Sequence, residues 1–307
     1  MQNYKNLCRL LAKYYVCTLL MFCYRVKTYN QRQQLAPVLD NLRSLGKRIG
    51  FVPTMGALHM GHISLVDKAL KQNDVVVVSI FVNPTQFNNE EDLKKYPRTL
   101  DRDVKMLGEK GENIILYVPS VEDLYGNNVV SGHFAFDGLE RQMEGRFRPG
   151  HFDGVGTVVS RFFEIVKPGK AYFGKKDFQQ LRIIETMVKN LKLPIKIIGC
   201  EIHREKDGLA MSSRNERLKP NYRDAAPFIF KTLKAAKKRF GTESAYKVTE
   251  WVRDQFAGHE LLKLEYFVIA DEETLQPVAR KSRSKSYRAF IAVFADDIRL
   301  IDNIALN

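Results

Sequence analysis

The run Val75-Val76-Val77-Val78-Ser79-Ile80-Phe81-Val82 constrains this chain more than any other segment. Its β-branched side chains are stiff at the first side-chain torsion and favour a strand over a helix. Because it is apolar at nearly every position, neither face suits water. A strand buried on both faces belongs in a parallel sheet covered by helices. The run is far shorter than the ~20 residues of a spanning helix, so no membrane span is expected.

The neighbouring segments fit that sheet. Ile49–Pro53 reads as a buried strand and Gly61–Lys71 as the helix after it. Leu93–Lys110 has a helical pattern, and Asn113–Val118 reads as a strand. Val155–Val166 reads as a helix ended by Lys167-Pro168-Gly169, Ala171–Phe173 as a short strand, Phe178–Leu191 as a helix and Pro194–Gly199 as a strand. Strands separated by helices of this length indicate βαβ units and a Rossmann-like, doubly wound α/β sheet. After about residue 203 the texture changes. Helices Ala225–Phe240 and Ser244–Phe256 and strands Leu264–Ala270 and Arg288–Phe294 suggest a smaller α+β domain. The expected organisation is an N-terminal extension over 1–20, a Rossmann-like nucleotide domain over 21–202 and a C-terminal domain over 203–307.

The first residues need separate treatment. Lys5, Arg9 and Lys13 precede the apolar run Tyr14–Cys23, like a secretory leader, but no small-x-small cleavage site follows. Met21 is the preferred start. Cys8, Cys17 and Cys23 cluster there and Cys200 stands alone. With no CxxC pair, a disulfide scaffold or zinc ribbon is not expected, and a reducing, cytoplasmic location is. The formal net charge of +14 admits nucleic acid or an anionic small molecule as partner. The basic residues are scattered, and a solvated basic surface is the reading they support.

Ligands of such sheets bind beyond the carboxyl ends of the strands. The unusual residues lie there: Pro53-Thr54-Met55-Gly56 after one strand, Asn83-Pro84-Thr85-Gln86-Phe87 after the next, and Gly174-Lys175-Lys176-Asp177 after a later one. The densest stretch, Pro53-Thr54-Met55-Gly56-Ala57-Leu58-His59-Met60-Gly61-His62, joins a strand to a helix. Its glycines permit a tight turn, the helix N-terminus favours an anion, and two imidazoles at i and i+3 can meet one phosphate.

This HxGH pattern resembles the signature of the nucleotidyltransferase superfamily that includes class I aminoacyl-tRNA synthetases. Further motifs narrow the resemblance. They are Phe81–Phe87, Tyr96-Pro97-Arg98-Thr99, Arg148-Pro149-Gly150-His151-Phe152-Asp153-Gly154-Val155, Gly174–Gln180, Asp207-Gly208-Leu209-Ala210-Met211-Ser212-Ser213-Arg214-Asn215 and Arg299-Leu300-Ile301-Asp302-Asn303. From about residue 22 onward the chain resembles the pantothenate synthetases.

The resemblance implies an ATP-dependent ligase that joins pantoate to β-alanine through a pantoyl-adenylate, releasing AMP and pyrophosphate. Met55, Gly56, Ala57, Leu58, His59, Met60, Gly61 and His62 would bind ATP, with His62 in the proton-donor position and His59 on the phosphates. Gly174, Lys175, Lys176, Asp177, His203, Met211, Ser212, Ser213 and Arg214 would complete that site. By the same resemblance Lys176 would steady the phosphates, and Arg214 would contribute its planar fork. Asp177 is the group expected near a Mg²⁺ held mainly by ATP. Gln86 and Gln180 would hold pantoate, since an amide both donates and accepts. Gln86 would also meet β-alanine, with Asn83 and Tyr96 as wall residues. The polar stretch Asn88–Lys95 suggests a lid, and a homodimer is implied.

Three departures stand out. Lys175 replaces a usually acidic residue and is expected to add positive charge beside the phosphates. Glu201 and His203 stand where a proline and an apolar residue are common. Arg102 interrupts a run that is often acidic. Two other readings compete: an adenylyltransferase that shares HxGH but lacks the Gln86 and Gln180 motifs, and a nucleic-acid-binding module, which would need a basic stripe with stacking aromatics. No nucleic-acid partner is expected.

Overall fold

The structure, a computed structural model, describes residues 26–88, 90–278 and 280–307. The expected extension over 1–20, the Met21 start and Cys8, Cys17 and Cys23 lie outside the described residues.

Six strands form one parallel sheet: β1 (Lys27–Tyr29), β2 (Ile49–Thr54), β3 (Val75–Ile80), β4 (Ile114–Tyr117), β5 (Lys170–Gly174) and β6 (Lys196–Cys200), in the order β1-β4-β3-β2-β5-β6. The uniform apolarity of the valine run has a direct cause. Val77 packs into the core on one face with Phe51, Phe162 and Ile184, while Val76 and Val78 pack on the other with Val52, Ile63 and Leu116. Helices α1 (Arg32–Ser44), α7 (His151–Val166) and α8 (Phe178–Asn190) contribute to the first face, and α2 (Met60–Leu70) to the second.

Between β3 and α7 the chain forms short helices: α3 (Glu90–Lys94), α4 (Leu100–Gly108), α5 (Val121–Tyr125) and α6 (Met143–Phe147). The single helix expected over Leu93–Lys110 is therefore two. Pro97 lacks the N–H that would continue α3 and restricts the residue before it, so the chain breaks at 96–99 and restarts after Thr99.

The C-terminal part holds α9 (Pro220–Ala225), α10 (Phe228–Phe240) and α11 (Ala245–Ala257) against an antiparallel sheet of β7 (Leu262–Asp271), β8 (Tyr287–Ala295) and β9 (Ile298–Ala305). β9 is an addition to the expected strands. Its central Asp302-Asn303 pair is polar and poor in strand propensity, yet both residues are buried strand positions here.

No described helix is long and apolar enough to cross a membrane.

Candidate active site

The sheet order reverses at β2. The chain steps outward through β3 and β4, then returns to place β5 on the opposite side of β2. Such a switch point opens a crevice at the strands' carboxyl ends. β2 pairs with β3 along all six of its residues, but with β5 only through Gly50 and Phe51. Beyond that point β2 and β5 part, and the loops after Thr54 and Gly174 enter the gap.

The loop after β2 turns through Gly56 (φ +81°) and Ala57 (φ +49°). Left-handed backbone is unfavourable for alanine, so other contacts must hold it. Asp103, on α4 and fully buried, supplies them. Its carboxylate accepts from the Ala57 N–H (2.9 Å), the Leu58 N–H (2.8 Å) and the Thr99 hydroxyl (3.0 Å). On the other side Ser213 donates to the Ala57 carbonyl at 3.0 Å.

The two histidines cap α2 reciprocally. His59 Nδ1 accepts from the Gly61 N–H at 3.1 Å, and His62 Nδ1 accepts from the His59 N–H at 3.3 Å. This is a capping box built from imidazoles, and it explains the i, i+3 spacing. Because each Nδ1 accepts, each ring proton sits on Nε2, the donor left for a ligand. The ring centroids are 4.0 Å apart. Burial, then the Lys176 charge, lowers His59 to about 4. Burial, then His59 and Lys176, lowers His62 well below the usual imidazole range. Both rings are therefore neutral donors at pH 7, with no positive charge of their own.

After β3, Asn83 folds the chain into the turn that presents Gln86. Its amide donates to the Gly154 carbonyl (3.1 Å) and to Gln86 Oε1 (3.2 Å), and its oxygen accepts from the Tyr125 hydroxyl (2.7 Å) and Thr85 Oγ1 (3.1 Å). Asn83 lines the cavity, but its polar atoms are engaged in holding the turn. Helix α7 sits directly on that turn, where a Cβ on Gly154 would lie 2.3 Å from the Thr85 oxygen. The Gln86 carbonyl accepts from His151 Nδ1 (2.8 Å) and Arg148 Nη2 (3.2 Å). Burial, then Arg148, lowers His151 to about 4, so this ring too is neutral.

These loops close around a cavity of about 230 Å³. Met55, His59, Gly61, His62, Asn83, Gln86, Tyr96, Gly174, Lys176, Asp177, Gln180, His203, Met211, Ser212, Ser213 and Arg214 line it. A wider cleft of about 580 Å³, between the two sheets, meets it at Lys176, Asp177, Gln180, Ser212 and Arg214. The smaller cavity carries both histidines and both glutamines, so the chemistry is assigned there despite the other's size.

Some expected residues lie elsewhere. Gly56, Ala57 and Leu58 form the turn behind the histidines, and Met60 is exposed on the outside of α2. Lys175 lines neither cavity. Its ammonium pairs with Glu201, so two of the departures compensate one another and Lys175 adds no unpaired charge beside the cavity. Arg214 lies over the Tyr96 ring at 5.7 Å and donates to Asp92 of α3 at 2.7 Å; Arg217 reaches the same carboxylate at 3.4 Å. The stretch expected as a lid is thus pinned by Arg214, expected to hold phosphate, and by Arg217, which the sequence reading does not single out.

Asp103, Arg148 and His151 are the functional supports that sequence reasoning left without a role. The last two lie in a motif already singled out. Asp103 carries no comparable signal, because its acceptor role depends on a loop 45 residues away.

A family model described as pantoate-beta-alanine ligase matches residues 27–305. A pantothenate synthetase of Christiangramia forsetii is 54% identical over 282 residues, covering 92% of this chain and all of that relative. One of Flavobacterium psychrophilum is 57% identical over 281 residues, covering 92% and 96%. Among solved structures, pantothenate synthetase from Thermus thermophilus superposes with a TM-score of 0.84 at 38% identity, covering 92% of this chain and 99% of that one. Pantoate-beta-alanine ligase from Francisella tularensis, complexed with beta-gamma ATP and beta-alanine, gives a TM-score of 0.74 at 35% identity, covering 92% and 98%. With its parallel sheet open between β2 and β5 and these relatives matched along nearly their whole length, the chain belongs to the pantoate–β-alanine ligase family, whose members are amide-forming ligases.

Proposed function

We propose that the protein condenses (R)-pantoate with β-alanine in two half-reactions at the crevice between β2 and β5. The observation that carries this is the meeting, in one cavity, of two neutral imidazole donors, Lys176, the Ser212–Arg214 segment, Gln86 and Gln180. In the first step a pantoate carboxylate oxygen attacks the α-phosphorus of ATP. The α–β phosphoanhydride bond breaks and pyrophosphate leaves. An anion attacks a polyanion here, so the protein's task is positioning and charge stabilisation. His59 and His62 donate hydrogen bonds from Nε2 to phosphate oxygens, so the proton-donor role expected of His62 is that of a neutral hydrogen-bond donor. Lys176 follows the transferring charge, and Ser212, Ser213 and Arg214 hold the leaving pyrophosphate. For Arg214 and the Ser213 hydroxyl to do so, their bonds to Asp92 and to the Ala57 carbonyl must be exchanged for the nucleotide. His203, Met211 and Gly174 form the wall on the nucleotide side.

In the second step the β-alanine amine attacks the adenylate carbonyl. The amide C–N bond forms, the amine loses a proton, and AMP leaves to give pantothenate. No nucleophilic side chain is required. Gln86 and Gln180 hold pantoate, and Gln86 also faces the arriving amine. Tyr96, ring-packed on Phe87 at 5.8 Å, shields the anhydride from water.

Among the described residues no group of three His, Cys, Asp or Glu side chains could cage a metal alone. Asp177 stands singly where the two cavities meet. One carboxylate suits a Mg²⁺ that arrives on the nucleotide, and such an ion would neutralise phosphate charge. The same reading includes a cytoplasmic homodimer, with residues 21–202 as the nucleotide and pantoate domain and 203–307 as the domain that closes over it.

Pantoate-dependent exchange of labelled pyrophosphate into ATP, without β-alanine, tests the function. Absence of exchange with folded wild-type protein overturns the adenylate. His62→Ala is expected to lose exchange while remaining folded, and near-normal turnover in that variant removes His62 from the mechanism.

A further inference from the structure

The Asp302-Asn303 pair is buried on β9, outside the catalytic cavity's histidines and glutamines. The Asn303 carboxamide donates one N–H to the Lys175 carbonyl (2.9 Å) and the other to the Lys176 carbonyl (2.8 Å). Its oxygen accepts from Arg288 Nη1 at 2.7 Å, which fixes which end of the amide faces the turn. Arg288 in turn lies over Phe178, the first residue of α8, at 4.1 Å. Both donors of this one side chain are therefore spent on the turn that carries Lys176.

The adjacent residue faces a different segment. Asp302 accepts a bidentate pair from Arg204, at 2.6 and 3.0 Å. Arg204 also donates to the Gly208 carbonyl at 3.1 Å, and its guanidinium covers the Phe230 ring at 3.6 Å. It sits in a small hairpin in which Arg204 bridges to Ala210 and the Met211 N–H meets the His203 carbonyl at 3.0 Å. That hairpin leads directly into Ser212–Arg214. Successive strand residues point to opposite sides, so one strand can grip two loops.

We infer that Asp302 and Asn303 are positioning residues for the adenylation step. Asn303 sets Lys176, Asp302 acts through Arg204 on Ser212–Arg214, and together they fix the distance between the two groups of phosphate ligands. The inference rests on the adenylating reading above. Both residues line the wider cleft and neither lines the cavity that holds the histidines, so the role assigned to them is positioning. Their effect belongs to the first half-reaction, because the second transfers an acyl group away from AMP after the pyrophosphate has gone.

The test uses the full chain with Asn303→Ala and Asp302→Asn, each measured in both half-reactions. The first is pantoate-dependent pyrophosphate exchange. The second is single-turnover release of pantothenate when pantoyl-adenylate and β-alanine are supplied. Misplacing a ligand by about 1 Å lowers a rate by about a hundredfold, so exchange should fall by about tenfold to hundredfold. Release from supplied adenylate should stay within about threefold of wild type in the same measurement. Equal losses in both half-reactions, or unchanged exchange in folded variants, overturn the inference. If Asn303→Ala does not fold, Asn303→Ser, which keeps one donor, must still lose exchange selectively. Wild-type protein that exchanges no pyrophosphate refutes the adenylating reading itself, whereas full exchange in the variants refutes only the positioning role.

Discussion

Asp103→Asn is the sharpest probe of how the histidine loop is held. The carboxylate accepts three hydrogen bonds from inside the protein, two of them from consecutive backbone N–H groups of the turn containing Ala57 in left-handed conformation. Asparagine keeps the shape but offers one acceptor oxygen and an NH₂ group. One N–H or hydroxyl must then face another donor. Leaving a buried donor unmet costs about 1–3 kcal/mol. A remaining bond that loses its charge assistance is roughly half as strong. The offset is real, since burial pushes the Asp103 carboxyl upward and the neutral amide escapes that penalty. We expect a net loss of about 2 kcal/mol for asparagine, and of roughly 3–5 kcal/mol for Asp103→Ala, which orphans both backbone donors. Urea unfolding gives these values directly. Because the same turn places His59 and His62, pyrophosphate exchange should fall about tenfold in folded Asp103→Asn. Stability within about 0.5 kcal/mol of wild type, together with unchanged exchange, would refute the anchoring role.

Three further outcomes follow from the geometry. Gly154→Ala should push the Asn83–Gln86 turn off α7 and raise the pantoate KM about tenfold with little change for ATP, read from initial rates. Lys175→Glu should set two carboxylates together and weaken ATP binding, while adding Glu201→Lys should restore it; the pair is surface-exposed on one side, so the stability change stays near or below about 1 kcal/mol. Acidification should destabilise the fold. His59 and His151 are lowered to about 4, so between pH 6.5 and 4 the unfolded chain binds more protons. Stability is complete above pH 6.5, and each ring should remove roughly 2 kcal/mol by pH 5 in urea melts across that range.

The parallel sheet was legible because the valine run admits only a strand covered on both sides, and the flanking helices repeat at the right spacing. The residues after each strand were legible for the same reason, since topology says where ligands go. What sequence does not display is which distant group satisfies a loop. Asp103 is one of two acids, Asp101 and Asp103, on either side of Arg102, with nothing to mark it as the buried one. The β9 strand is hidden in the same way, because Asp302 and Asn303 are poor in strand propensity and their partners arrive from 98 and 128 residues away. The Lys175 substitution looked like added charge, and only the fold brings Glu201 to it. The +14 admitted a nucleic acid as easily as a nucleotide, and the family resemblance, not the charge, separated them.

The reach of Asn303 also has a temporal side. The turn bearing Lys176 leaves the ribosome 128 residues ahead of the side chain that fastens Lys175. At about 5–20 residues per second, that interval lasts roughly 6–26 s. Once Cys200 has been made, all six strands of the parallel sheet are available to pair, while the turn bearing Lys176 still lacks its clasp. A nascent chain in that window would be a folded sheet without a competent catalyst, and the capacity to spend ATP would be switched on by one of the last strands to be synthesised.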